Sequence, residues 1–179
     1  SAFMPYLYPS GVSEIVRFGL LGFAMSRYSG CWVGLKIVSD VADSGRTYDT
    51  SIENEEIIVP SGAFLGEYKD LPRNILFSDT PREQDFRLQR AKGFAAQEFV
   101  RANQIDKVIW KNNNAKLGII SAGKSYNDVL EAFRWLGIDE EKAKSMGIAL
   151  YKVGMPWPLE PQGISCLLYT SPSPRDTIR

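Results

Sequence analysis

The sequence predicts an α/β fold built around a parallel pair of strands. The order of the predicted elements supports this prediction. Residues 116–160 follow the order strand, helix, short helix, strand, and a helical crossover of this kind joins parallel strands. A parallel pair also needs further strands and helices to cover its faces. We therefore expect these residues to belong to a larger protein.

The first half of this unit is a strand followed by an amphipathic helix. Residues 117–122 form an apolar run that predicts a buried strand. Ser125 is predicted to cap the next helix, with Asp128 as its capping-box partner, and Gly137 to end it in a left-handed conformation. The predicted buried stripe of this helix is Val129, Leu130, Phe133 and Leu136.

The second half is a short helix and a second strand. Asp139 is predicted to start a helix over residues 140–146, and Gly147 to close it. Residues 148–153 then form the second apolar strand, after which a proline-rich segment ends the pattern.

The first forty residues predict helical structure. Ser10 is predicted to cap a helix and Glu14 to lie in its positive first turn. Gly30 is predicted to end this helix, and residues 32–41 to resume helical character. Apolar residues recur at a helical period at Val12, Ile15, Val16, Leu20, Phe23 and Ala24.

A connecting region separates this helix from the next one. Residues 43–79 are rich in turn-forming residues, and residues 56–59 are their only predicted strand. Thr80, Pro81 and Glu83 then predict a helix start with a capping box and proline at the first position, and the helix runs to Ala102. Its basic residues could bind phosphates, but acids are interleaved with them, so a solvated face is the favoured prediction: Arg82, Arg87, Arg90 and Arg101.

Composition excludes several kinds of site. The chain has 21 basic and 21 acidic residues, so no net field favours nucleic acid or an anionic membrane. It has no apolar run long enough to span a bilayer, and no basic-then-apolar pattern of a signal peptide opens the given sequence, so we expect a cytoplasmic protein. Histidine is absent and cysteine occurs twice, which excludes a disulfide framework, a four-cysteine cluster and histidine metal ligands.

One segment matches a phosphate-binding sequence pattern but is not predicted to form the loop that binds phosphate. Residues 118–125 match the phosphate-binding pattern G-x-x-x-x-G-K-S. The mechanism needs a loop that begins at the first glycine, but Gly118 falls inside the predicted strand. A weaker hypothesis remains, in which Gly123, Lys124 and Ser125 contact an anion where the strand ends and the helix begins. The alternative is a capped turn with a solvated lysine.

Cys31 and the carboxyl terminus are interpreted as features without function. Cys31 follows a glycine, and a reactive thiol there is weighed against a small buried residue, which is the favoured interpretation. Residues 166–179 are similar to a translated sequencing adapter and are predicted to be non-native, with a Ser/Pro-rich end as the alternative.

Three long blocks of sequence resemble one family of enzymes. They are residues 22–36 (GFAMSRYSGCWVGLK), residues 116–129 (KLGIISAGKSYNDV) and residues 147–161 (GIALYKVGMPWPLEP). Together they closely resemble indolepyruvate ferredoxin oxidoreductase, and the resemblance covers nearly all of residues 4–165 in the expected order.

The resemblance implies a fragment with a particular domain organisation. Residues 1–45 would be the helical end of a thiamine-enzyme pyrimidine-type domain, residues 46–79 a connector and residues 80–103 a helix. Residues 104–165 would begin a transketolase carboxyl-terminal-like α/β domain.

The resemblance also implies the chemistry of the full enzyme. Members of the family decarboxylate aryl 2-oxo acids such as indolepyruvate on thiamine diphosphate and Mg, pass the acyl group to coenzyme A, and send electrons through [4Fe-4S] clusters to ferredoxin. No catalytic, metal-binding or cofactor-binding residue is transferred to this chain, because the segments that hold these groups lie outside it.

Two functions therefore follow from the sequence. In the first, the chain is an inactive scaffold whose partners are the remaining domains or subunits of the parent oxidoreductase. In the second, it is a small free-standing nucleotide-binding α/β module that uses residues 118–125.

Overall fold

The computed structural model describes residues 3–51 and 55–170. Within these ranges the helices are α1 (Val12–Ser29), α2 (Ser39–Ala42), α3 (Pro81–Arg87), α4 (Gly93–Ala102), α5 (Lys124–Trp135), α6 (Glu140–Met146) and α7 (Pro161–Thr170). The strands are β1 (Tyr6–Leu7), β2 (Gly34–Leu35), β3 (Lys107–Trp110), β4 (Leu117–Ala122) and β5 (Ile148–Val153). Each described helix is too short or too polar to cross a bilayer.

The larger sheet has three strands in the order β3-β5-β4. β4 runs parallel to β5, from the pair Leu117 and Ile148 to the pair Ala122 and Val153, which confirms the predicted parallel pair. β3 runs antiparallel to the other side of β5. Every residue of the central strand β5 is buried.

Helices cover both faces of this sheet, as the α/β prediction requires. On one face, α5 and α6 pack against alternate residues of the strands. The buried members of this cluster are Trp110, Phe133, Ala143, Ile148 and Leu150. On the other face lies α7, and the buried cluster there comprises Ala115, Ala149, Tyr151, Val153 and Leu167.

The amino-terminal half packs around a third cluster, in which α1 contacts α4. Its largest fully buried side chains include Phe18, Met25 and Phe99. Ile105 and Met155 belong to the same cluster, so the loops that enter β3 and leave β5 share one core with α1. Burial of this apolar surface stabilises the packing of the helical half against the sheet.

Backbone hydrogen bonds join the two halves as well. The Tyr6 N–H donates to the Trp157 carbonyl at 3.0 Å, and the Tyr8 N–H donates to the Gly154 carbonyl at 2.8 Å. The segment that follows β1 therefore runs beside the loop that leaves β5.

Several predicted helix ends are confirmed. Thr80 and Glu83 form a reciprocal capping box, with Pro81 at the start of α3. The side chain of Asp139 caps α6 by accepting from the Lys142 N–H at 2.8 Å. Gly30, Gly137 and Gly147 all adopt left-handed backbone angles after their helices.

The long helix that ends at Ala102 contains an irregular turn. The five residues Leu88–Lys92 form a π-helical turn between α3 and α4. The predicted solvated arginine face is wrong at one position, since Arg87 is buried in this turn region and paired with the Asp79 carboxylate. A buried guanidinium needs such a partner, and Asp79 lies outside the helix, where its periodicity gives no signal.

The prediction that residues 32–41 are helical is wrong for most of the segment. Gly34 and Leu35 form β2 and pair in parallel with β1, and only Ser39–Ala42 is helical. The Lys36 N–H donates to the Leu7 carbonyl at 2.8 Å. Pairing with a strand far away in the sequence therefore decides this conformation.

The predicted strand at residues 56–59 is also wrong. Its backbone bonds to a side chain instead of a strand. The Ile58 N–H donates to Asn103 Oδ1 at 2.9 Å, and Asn103 Nδ2 donates to the Ile58 carbonyl at 2.8 Å. The side-chain amide thus satisfies both groups that a neighbouring strand would have bonded.

β4 is an edge strand, so the prediction that it is a buried strand is wrong for part of its length. Leu117 and Ile120 are 52% and 45% exposed because β4 pairs with β5 on one side only. Leu136, predicted in the stripe of α5, is 67% exposed, because it lies past the last residue of the helix.

α7 extends past Ser165 and includes residues that we predict to be non-native. Leu167 is buried against the sheet within α7. The origin of residues 166–179 stays a prediction, as do the predicted domain divisions, and residues 171–179 lie outside the described ranges.

Asp106 holds the entrance of β3 to the exit of β5. Its Oδ1 atom accepts from the Gly154 N–H at 2.7 Å and from the Met155 N–H at 3.0 Å. Its Oδ2 atom is buried and has no hydrogen-bond partner among the described residues. Burial raises the pKa of Asp106 to about 6, against an ordinary value of 3.8.

The raised pKa predicts a pH-dependent effect of Asp106→Asn. The folded state holds its proton between pH 6 and 4 where the unfolded state loses it, so stability falls as pH rises through this window. The pKa difference is worth at most about 3 kcal/mol, and solvent screening reduces our expectation to about 1–2 kcal/mol. Asn keeps an acceptor for both N–H groups without the charge.

Urea unfolding at about pH 7.5 and about pH 4.5 tests this prediction. We expect the free energy of unfolding of the Asp106→Asn variant, minus that of the unsubstituted chain, to be larger at the higher pH. Asp43→Asn, at an exposed position on the end of α2, is the matched control. Equal differences at both pH values would contradict the prediction.

Candidate functional site

The candidate site lies at the carboxyl ends of β4 and β5, where the amino-terminal segment crosses the sheet. Ligands of α/β folds bind at this end of parallel strands. Gly123 follows β4 directly and has φ 54° and ψ −141°, which only glycine adopts readily. A Cβ atom there would lie 2.3 Å from the Tyr8 ring, so this ring occupies the space beside the turn.

The other two predicted anion contacts lie at the start of α5. Lys124 is the first residue of the helix, and its Nζ lies 2.8 Å from Asp128 Oδ1 and 3.8 Å from Asp40 Oδ2. The hydrogen bond to Asp128 and the charge of that carboxylate raise the pKa of Lys124. The lysine charge is thus shared with two carboxylates, and contact with an anion stays a prediction.

The predicted cap at Ser125 is wrong. The N-cap of α5 is Gly123, so no side chain caps this helix, and Ser125 is an exposed residue within it. The conformation of Gly123 turns the chain into the helix two residues earlier than a serine cap would. Asp128, the predicted capping-box partner, binds Lys124 instead.

A buried ion pair lies beside this turn. Lys152 on β5 is only 4% exposed, and its ammonium group is paired with the Glu14 carboxylate of α1. Lys152 Nζ also donates to Ser10 Oγ at 3.0 Å. The Ser10 N–H and hydroxyl both donate to Glu14 Oε2 at 2.8 Å. We call Ser10, Glu14, Tyr126 and Lys152 the ion-pair cluster.

Ser10 therefore has a different role from the predicted one. The N-cap of α1 is Gly11, without a side-chain cap, and the Ser10 hydroxyl donates to Glu14. The prediction that the Ser10 hydroxyl accepts an orphan amide is wrong, because its oxygen accepts from the Lys152 ammonium group instead.

Helix α5 completes the surroundings of the lysine. Lys152 Nζ lies 4.5 Å from the centre of the Tyr126 ring, within range of a cation–π interaction. Asn127 Nδ2 donates to the Ser10 carbonyl at 2.6 Å. Ser121 pairs with Lys152 across the sheet, and its buried Oγ has no hydrogen-bond partner among the described residues.

The electrostatics of the cluster favour an ion pair. Burial raises the pKa of Glu14, but the Lys152 charge and the hydrogen bonds from Lys152 and Ser10 outweigh it, so the pKa lies below its ordinary value. Burial lowers the pKa of Lys152, and the Glu14 charge offsets only part of this effect. The arrangement fixes the start of α1 against β5.

The phosphate-binding pattern has no phosphate-binding loop. Gly118 lies inside β4 and pairs with Ala149 of β5, and the four residues that follow it continue the same strand. This confirms the strand prediction for the segment. A loop that curls backbone amides around phosphates would have to break this pairing.

Cys31 is a buried thiol, which confirms the favoured interpretation. It is 4% exposed. Burial is the main cause that raises its pKa, so the reactive thiolate is disfavoured.

Sequence analysis missed the ion-pair cluster, although a signal was present. Lys152 is the only charged residue in the otherwise uncharged strand Ile148–Val153. A lysine in a strand buried on both faces requires a counter-charge. The partner, Glu14, lies 138 positions away in the chain, so the local sequence does not identify it.

The described residues do not fit the metal groups that the resemblance implies. In residues 3–51 and 55–170, no three His, Cys, Asp or Glu side chains converge to hold a metal ion. The two cysteines of the sequence are too few for a cluster with four thiolate ligands.

The fold and the site define an α/β unit joined to a helical segment through a buried ion pair. Residues 107–167 match the family model of the indolepyruvate oxidoreductase domain. This match covers about a third of the chain and includes β3, β4, β5 and Lys152. It supports the family at the level of this domain. A comparison with curated protein sequences gives no match.

Proposed function

We propose that the chain is a scaffold segment of an oxidoreductase that oxidatively decarboxylates aryl 2-oxo acids, with indolepyruvate as the substrate. In this proposal the acyl group passes to coenzyme A and the electrons to ferredoxin. The match of residues 107–167 to the indolepyruvate oxidoreductase domain is the observation that supports it. Thiamine diphosphate, Mg and [4Fe-4S] clusters are assigned to the remaining domains or subunits.

The geometry supports the scaffold role. At the carboxyl ends of β4 and β5, the charged side chains pair with one another: Glu14 pairs with Lys152, and Lys124 with Asp128. The ring of Tyr8 fills the space beside Gly123. These contacts join the helical segment to the sheet and hold both in one arrangement.

The enzyme proposal is tested by comparing two proteins. One is the 179-residue chain, and the other is the product of the complete reading frame that contains it, assembled with any partner subunits. Anaerobic reduction of methyl viologen is measured with indolepyruvate, coenzyme A and thiamine diphosphate. We expect turnover by the complete protein and none by the chain alone.

Each result has a defined meaning. If the complete protein does not reduce viologen in the presence of indolepyruvate, the oxidoreductase proposal is rejected. If the 179-residue chain turns over by itself, the scaffold role is rejected. Saturable binding of Mg-ATP to the chain in a calorimeter would favour the nucleotide-binding alternative, against which the strand position of Gly118 argues.

A further inference from the structure

A surface cavity of about 750 Å³ lies at the carboxyl end of α1, away from the ion-pair cluster. Small-molecule sites typically have volumes of about 300–1,000 Å³. The residues that line the cavity come from α1, from residues 57–59 and from residues 69–74. The cavity therefore lies between α1 and the connecting region, and the proposed function assigns no role to the connecting region.

The lining is basic. Arg27, Lys69 and Arg73 line the cavity against a single carboxylate, that of Asp70. None of the three cationic side chains forms an ion pair with another residue in the part of the chain that the structure describes. Three cations around one concave surface create a positive potential that attracts anions.

Arg73 is held with part of its hydrogen-bonding capacity unused. Its guanidinium carbon lies 4.3 Å from the centre of the Tyr28 ring, so the group stacks on this ring. Its Nη1 atom is buried and has no hydrogen-bond partner among the described residues. Arg73 as a whole is only half-buried and lines the cavity, so an oxyanion there would pair with the charge of the guanidinium and not with the enclosed Nη1 atom.

The neighbouring groups hold this arrangement in place. The Tyr28 hydroxyl donates to Glu98 Oε2 at 2.7 Å, which fixes the ring beneath the guanidinium. The Glu98 carboxylate also accepts from the Phe64 N–H at 3.3 Å. A Cβ atom on Gly30 would lie 2.0 Å from the Arg73 carbonyl oxygen, so the backbone of Arg73 is packed directly against the end of α1.

Apolar side chains provide the rest of the lining. Ile57, Val59, Leu71 and Pro72 line the cavity beside the three cations. Val59 is 65% exposed, which leaves apolar surface open to a ligand. A ligand that joins an oxyanion to an apolar body would pair its charge with Arg73 and cover this surface.

We propose that this cavity binds a small organic anion, with its carboxylate or phosphate on Arg73, Lys69 and Arg27 and its apolar body on Ile57, Leu71 and Pro72. The site is separate from the ion-pair cluster, and the inference does not rest on the proposed oxidoreductase activity. A failed binding test would therefore leave that activity untouched.

Calorimetry with four probes tests the inference on the full chain. Phenyl phosphate and phenylacetate combine an oxyanion with an apolar ring, inorganic phosphate supplies the anion alone, and benzyl alcohol supplies the ring alone. We expect saturable binding of at least one combined probe and weaker binding of both partial probes. The tighter of the combined probes identifies the anion as phosphate or carboxylate.

Substitutions locate the binding. Arg73→Gln is expected to raise the Kd of the tighter probe by about tenfold or more, since a charge-assisted hydrogen bond is removed. Lys69→Gln and Arg27→Gln, at exposed positions that do not threaten folding, are expected to weaken it by smaller factors. Arg134→Gln, the same chemical change on the exposed surface of α5, is the matched control.

Three results would overturn the inference. The first is the absence of saturable binding by either combined probe. The second is a Kd that Arg73→Gln leaves unchanged. If Arg73→Gln fails to fold, the third applies: unchanged Kd values in both Lys69→Gln and Arg27→Gln would place the bound probe elsewhere.

Discussion

Replacing Lys152 by methionine is expected to lower the free energy of unfolding by about 3 kcal/mol, because it removes one partner of a buried ion pair and leaves the other charge without compensation. Lys152 is nearly inaccessible, and the Glu14 side chain is 26% exposed. Methionine fills a similar volume, so the effect measures the lost charge interaction and not a cavity. Urea unfolding gives the difference directly.

Two further variants make this prediction specific. Lys144→Met removes a lysine from an exposed pair with Glu140 and is expected to cost less than about 0.5 kcal/mol. The double variant Glu14→Leu with Lys152→Met removes both charges, and we expect it to recover much of the stability lost in the single variant. A single variant no less stable than Lys144→Met would show that the pair does not hold the two segments together.

The same variant should change the pH dependence of stability. In the unsubstituted chain the pKa of Glu14 is lowered, so its contribution is full above its ordinary pKa of 4.5 and is lost as pH falls through the folded value. Without Lys152, only the two hydrogen bonds from Ser10 still oppose the effect of burial, so the pKa of Glu14 is expected to lie higher than in the unsubstituted chain. The difference in stability between the two proteins should therefore shrink as pH falls towards 4. A constant difference would argue against this account.

Replacing Gly123 by alanine is the second large effect, with an expected loss of about 3 kcal/mol. The backbone angles at Gly123 (φ 54°, ψ −141°) disfavour any side chain, at a cost of about 1–3 kcal/mol. The new methyl group would also overlap the Tyr8 ring, since its carbon would lie 2.3 Å from ring atoms. Overpacking of this kind adds about 1–3 kcal/mol. Urea unfolding again provides the measurement.

A double-mutant cycle separates these two causes. In a Tyr8→Ala background the ring is absent, so Gly123→Ala should cost only the backbone part, about 1–3 kcal/mol, and less than it costs when the ring is present. Gly137→Ala is the matched control, because Gly137 has φ 62° but nothing within 4 Å of a Cβ atom. Equal costs of Gly123→Ala with and without the Tyr8 ring would mean that this ring does not pack against the turn.

The predictions that are correct depend on interactions between residues close together in the chain. The capping box of Thr80 and Glu83 and the ends of α6 at Asp139 and Gly147 were predicted correctly. Each depends on hydrogen bonds or backbone angles within a few residues, which the local sequence specifies. β5 was predicted for a similar reason, since a short apolar run after a glycine is a local signal.

The wrong predictions share a different feature. Residues 32–41 were expected to be helical, yet Gly34 and Leu35 pair with β1. Residues 56–59 were expected to be a strand, yet the Asn103 side chain takes the place of a partner strand. In both cases the partner is distant in the sequence, and tertiary packing overrides local preference.

At the candidate site, too, the sequence indicates the local turn but not the distant residues that pack against it. Gly123, Lys124 and Ser125 were singled out because a turn after a strand is visible in the sequence. Their neighbours were not visible: Tyr8 lies against Gly123, and Asp40 joins Asp128 near Lys124. These neighbours change the chemistry of the turn, since they fill its space and share the charge of its lysine.

Periodicity and capping act between residues close in the chain, so the amino-acid sequence alone predicts the α/β class, the parallel strand pair, the start of α3 and both ends of α6. Three features become visible only in the folded chain: Lys152 pairs with Glu14, β3 lies antiparallel beside β5, and Arg27, Lys69 and Arg73 line one cavity. Burial and electrostatic pairing depend on which distant segments meet in space, and a pattern of neighbouring residues does not contain that information.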